Sequence, residues 1–96
     1  MTEPDTWEWH NLQRAEAESR GERLSAREHA ISMIQLSQPN SRAYAEATYW
    51  YAHSFEHENE EMFEEWMIRS AIVDVMCATK DYASLNEESK YIFYKG

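Results

Sequence analysis

Glycine and proline are the residues that most readily break regular backbone, and this chain of 96 residues holds only two of each. Gly21 and Pro39 are the internal breaks, and Pro4 and Gly96 lie near the ends. Phosphate-cradling loops, tight β-hairpin turns and strained catalytic elbows lean on glycine, because a residue without Cβ tolerates positive φ. A chain this poor in glycine is expected to be helical, with few and specific turns.

Local signals place the helices. Pro4 suits a first helical turn, and "WEWHNLQRAEAESR" runs from there to Gly21, a natural C-terminal stop. "SARE" at Ser25–Glu28 reads as a capping box opening a second helix, with Ala30, Ile31, Met33, Ile34 and Leu36 at helical spacing. That helix should end at "SQPN", where Pro39 disfavours helical geometry in Gln38. Asn40 or Ser41 can cap a third helix, "RAYAEATYWYAHSFEH". A fourth, "EEMFEEWMIRSAIVDVMCATK", sets Met62, Phe63, Trp66, Met67, Ser70, Val73 and Cys77 on one face. The "HENEE" junction admits one continuous helix or two, with Asn59 as a cap for the second. A further capping box at Ser84–Glu87 precedes "YIFYKG", a last helical turn or a short strand. No sequence repeat is visible. The expected architecture is all-α: a single domain, a compact bundle of four to five short helices.

A domain of this length must bury much of its apolar surface. The chain has the means, with 43% hydrophobic residues and four tryptophans, which also argues against disorder. Cys77 is the only cysteine, so no internal disulfide forms and a cytoplasmic setting is expected. No apolar run approaches the roughly 20 residues of a membrane helix.

Charge is the more informative property. The net charge of −9 disfavours direct contact with nucleic acid or an anionic membrane. Residues 46–65 carry seven acidic and no basic side chains, so most of the excess sits in one segment. If helical, Glu56, Glu60 and Glu64 fall at i, i+4 and i+8, in steps of about 6 Å. Glu61 and Glu65 run alongside, and Glu58 adds to the row. Like charges so spaced repel, and a solvated helix usually mixes signs. A one-sign ladder therefore suggests either a docking face for a basic surface or a solubilising face.

The same stretch spells H-x-x-E-H from His53 to His57. On a helix the two imidazoles share a face and can chelate zinc, with Glu56, Glu60 or Glu61 nearby. Hydrolases with this motif take a further ligand from far downstream, whereas here 39 residues follow His57 and none is histidine. The preferred reading is two partly exposed histidines whose acidic neighbours favour the imidazolium. Cys77, within "AIVDVMCATK", reads as a small buried hydrophobe rather than a nucleophile. No carboxylate is marked as desolvated for acid–base work, so neither catalysis nor a cofactor is expected.

The aromatics bear on partners. "YWY" at Tyr49–Tyr51 spans more than half the helix circumference, and Trp7 and Trp9 cannot share one face. Trp50 and Trp66 read as core. Trp7, Trp9 and Tyr51, with Tyr91 or Tyr94, are candidates for contact with a partner or a homodimer seam. In size, charge and composition the chain resembles the small acidic helical inhibitors that phages and mobile elements direct at nucleic-acid-handling defences, such as anti-restriction and anti-CRISPR proteins. That resemblance implies a non-enzymatic inhibitor docking its glutamates on a basic, nucleic-acid-binding protein. A homo-oligomeric structural or regulatory adaptor, and a metal-binding protein using His53 and His57, are the alternatives.

Overall fold

In the computed structural model the helix starts, and the ends of the first three helices, each have a local chemical reason. The structure describes residues 5–83, with side chains through residue 80. Four helices form, α1 (Trp7–Ser19), α2 (Arg23–Leu36), α3 (Arg42–His53) and α4 (Glu60–Ala83). No strand occurs among the described residues. The all-α bundle is as expected, while the Ser84–Glu87 capping box and the "YIFYKG" tail lie outside the described residues.

Helix α1 starts later than Pro4 suggests. Thr6 is extended, at φ −111° and ψ 159°, and its hydroxyl accepts from the Trp9 amide at 3.1 Å, so threonine supplies the cap. The helix ends as the sequence implies. Gly21 sits at φ 74°, its amide donates to Glu18 O at 3.0 Å, and the Glu22 amide reaches back to Ala17 O at 2.9 Å. This paired return needs a left-handed residue at Gly21. It also turns the chain so tightly that α2 begins at Arg23, before the expected capping box. Glu22 takes the cap position without a side-chain bond, and Ser25 and Glu28 lie inside the helix.

Between α2 and α3, Ser37 is extended ahead of Pro39, and Asn40 takes φ 63°, a conformation asparagine tolerates better than most residues. Ser41, rather than Asn40, caps α3 by accepting from the Tyr44 amide at 3.1 Å. Helices α3 and α4 are separate. A run of turns fills 54–58, His57 adopts φ 68°, and Asn59 Oδ1 caps α4 by accepting from the Met62 amide at 3.2 Å.

Each helix packs on the next in the chain, and small residues line the seams. Ala17, Ala26, Ala30, Ala45, Ala47 and Ala52 are all buried, with Met33 and Thr48 the largest fully buried side chains. Alanine at a seam lets helices approach closely, and its side chain loses no rotamer freedom on burial. The buried hydroxyls at these seams are satisfied. Thr48 donates to Tyr44 O at 2.9 Å and Ala45 O at 3.0 Å. Ser70 of α4 donates across to Ala45 O at 2.7 Å. The expected inner face of α4 is the one turned to α3. Tyr51 meets Trp66 edge-on at 4.9 Å, and Ser70 and Val73 are buried. Cys77 is half-buried rather than buried, its thiol donating to Asn40 O at 3.4 Å.

The four helices form two antiparallel hairpins, α1–α2 and α3–α4. Their starting caps, Thr6 and Ser41, stand 35 positions apart. At the same offset His10 and Ala45 are both buried, as are Ala17 and Ala52. The first helices of the two hairpins therefore correspond in their caps and in part of their packing, while the second helices, α2 and α4, start 37 positions apart. Few identities survive in this correspondence, so the letters alone do not reveal it. Besides the packing of α2 on α3, two arginines tie the hairpins together. Arg14 of α1 lies over the Trp50 ring of α3 at 3.8 Å, and Arg27 of α2 grips the end of α3.

Candidate interaction surface

Arg27 fixes the acidic turn in place. Its guanidinium donates to Ser54 Oγ at 3.0 Å and Ser54 O at 2.7 Å, closing the C-terminal end of α3 with a cation. It also stacks on Phe55 at 3.9 Å and pairs with Glu58. Anchored there, residues 54–59 leave the helical path. Glu56 is clasped by two imidazoles, His53 Nδ1 at 3.1 Å from one oxygen and His57 Nε2 at 3.8 Å from the other. Glu60 and Glu61 occupy the first turn of α4, where the helix macrodipole favours a carboxylate by about 0.3–1 kcal/mol. Glu64 and Glu65 follow on the exposed side, with Arg69 3.7 Å from Glu65.

The regular ladder from Glu56 through Glu60 to Glu64 is therefore not present. Helix α3 ends at His53, and Glu56 and Glu58 belong to a turn. The repulsion read from the sequence is relieved by Arg27, which sequence distance hid, and by the N-terminus of α4. What survives is the crowding itself. Glu56, Glu58, Glu60, Glu61, Glu64 and Glu65 gather where α3 turns into α4. An open depression of about 500 Å³ there is lined by Glu56, His57, Glu58, Glu60 and Phe63.

The same turn removes the basis for a helical zinc site, since His57 is no longer one turn beyond His53 on a common face. No group of three or more His, Cys, Asp or Glu side chains among the described residues is arranged to hold a metal ion. No helix among them is long and apolar enough to cross a membrane.

The aromatics nominated for partner contact make internal contacts. Trp9 packs edge-on against His10 and His29 at 5.0 and 5.8 Å, in the α1–α2 seam. Tyr51 meets Phe55 and Trp66 in the α3–α4 seam. Trp7 is half-buried, its indole nitrogen enclosed without an acceptor among the described residues. Tyr91 and Tyr94 lie outside the described residues.

Sequence reading missed a cleft of about 250 Å³ between the hairpins, lined by Glu18, Gly21, Arg23, Ala26, Trp50, His53 and Ser54. Behind two of the lining residues, Arg14 is buried against Trp50 and held by Asn11 Oδ1 at 2.8 and 3.0 Å and Glu18 at 2.7 Å. The only available signal was an arginine followed by a glutamate four residues on, which reads as an ordinary surface pair.

Two consecutive helix hairpins, with first helices starting 35 residues apart and second helices 37 apart, have the arrangement of tetratricopeptide repeats, whose period is about 34 residues. Such repeats present surfaces for binding other proteins, and protein–protein interaction is the general class of role that follows. Across residues 1–96 the chain matches the family described as the SusR N-terminal TPR domain, and it belongs to that family. No curated protein and no solved structure matches it.

Proposed function

We propose that this chain is a non-enzymatic interaction module whose acidic end docks on a basic surface of a partner protein. The observation that carries this reading is the depression lined by Glu56, Glu58 and Glu60 beside Phe63, with Glu61, Glu64 and Glu65 following in the exposed first turns of α4. An arginine or lysine entering there lays its aliphatic stem on the ring and its charge among the carboxylates. A lysine- and arginine-lined surface that otherwise holds nucleic acid fits on charge. The break at 54–59 removes the even 6 Å step that would copy phosphate spacing, so recognition rests on charge density. Family membership supports the interaction class, and the charge distribution supports the basic partner.

The test uses an arginine-rich peptide as probe. The triple variant Glu60→Lys/Glu61→Lys/Glu64→Lys should lose binding while keeping its helical circular dichroism, and wild-type affinity should fall steeply with salt. Peptide affinity unchanged by the triple reversal would sink the proposal.

A further inference from the structure

Helix α4 is apolar on both sides. One side packs on α3. The other presents Ile68, Ile72, Val75 and Met76 to solvent at 60%, 55%, 63% and 48% exposure, with Ala71 completing a continuous strip. A helix apolar around most of its circumference is normally covered on both sides, and single scattered apolar residues do not make such a strip.

We propose that this strip pairs with the same strip of a second copy, α4 against α4 in antiparallel alignment about a twofold axis at Ile72. Three observations select a second copy. First, the strip is self-complementary in that register: with Ile72 facing itself, Ile68 of one copy meets Met76 of the other. Second, the flanking charges match. The acidic side chains Glu64 and Glu65 before the strip come alongside Lys80 beyond it in the second copy. Third, the acid excess stops short of the strip. Between Trp66 and Lys80 the charged residues are Arg69, Asp74 and Lys80, so two copies of a −9 protein can meet there without the repulsion imposed elsewhere. An isologous contact of this kind closes on itself and gives a dimer, not a filament.

The contact runs from Glu64 to Lys80, about 24 Å of helix. That is a small seam beside a standard interface of about 1,600 Å², so the dimer is weak and concentration-dependent. The strip itself, Ile68 to Met76, shares no residue with the lining of the depression at Phe63, though Glu64 and Glu65 lie between the two.

Sedimentation of the full chain across about two decades of concentration should show a monomer–dimer equilibrium. Ile72→Glu should raise the dissociation constant more than about tenfold, because it buries a charge in the seam. Glu64→Lys alone and Lys80→Glu alone should each weaken association, and the two together should restore it. Ile72 faces itself across the axis, so Ile72→Cys in a Cys77→Ser background should cross-link to a covalent dimer with oxidised glutathione. Glu46→Cys in that background should not. A single monomeric mass at every concentration with no cross-link would overturn the proposal, and is the result expected if residues 84–96 or another partner cover the strip. Dimerisation indifferent to Ile72→Glu would overturn it equally.

Discussion

Replacing Arg27 with methionine keeps a long apolar stem and removes the guanidinium that joins the hairpins. Two hydrogen bonds from that cation to Ser54, at 3.0 and 2.7 Å, are lost, each worth about 1.5–3 kcal/mol when made by a charged group. The stacking on Phe55 at 3.9 Å adds about 0.5–1 kcal/mol. Glu58 is partly exposed, so its ion pair contributes little. Because these contacts share one group, their sum overstates the effect. A net loss of about 3 kcal/mol is expected, lowering the melting temperature by about 12 °C or more. Arg27→Lys should recover little, since an ammonium cannot present the planar fork that bonds the Ser54 hydroxyl and carbonyl together. The assay is thermal and urea unfolding followed by circular dichroism, repeated in a Ser54→Ala background to isolate the coupling. A loss below about 0.5 kcal/mol, within the range of an ordinary surface change, would refute Arg27 as the joint.

Other consequences are checked in the same unfolding assay. Gly21→Ala should cost about 1–2 kcal/mol purely from its left-handed φ of 74°, because no heavy atom lies within 4 Å of the added Cβ. Ser70→Ala deletes the bond to Ala45 O across the α3–α4 seam and should cost about 1–3 kcal/mol. Ser41→Ala removes the α3 cap and should cost about 1 kcal/mol. Zinc titrated into the wild-type protein should give no calorimetric heat attributable to His53 and His57, and substituting both histidines should leave the trace unchanged.

What the sequence disclosed and what it hid divide along physical lines. Helix identity was legible because it is local: scarce glycine, Ser41 and Asn59 as caps, Gly21 as a stop, and the α4 face from Met62 to Cys77. Helix starts moved where a turn's hydrogen bonding overrode a side-chain signal, as at Glu22, where the return around Gly21 took precedence over the Ser25–Glu28 box. The repeat was hidden because alanines and hydroxyl caps carry it, and such residues are common anywhere in a helical chain. The acidic end was legible as composition but not as geometry. Arg27 reaches Ser54 and Glu58 across 27 and 31 residues, and no local pattern encodes that pairing. The aromatics were read as spare because their helical angles exceed one face. In a stack of hairpins a helix is contacted from more than one direction, so Trp9 and Tyr51 make seam contacts while staying half-buried.

The central claim is that a basic partner is received at the α3–α4 turn. Titrating an arginine-rich peptide into ¹⁵N-labelled protein and following amide shifts tests it directly. The account predicts salt-sensitive shifts concentrated at Glu56–Glu65, with Phe63 among the largest. Shifts centred instead on the cleft around Trp50 and Arg23, or no shifts at low salt, would contradict it.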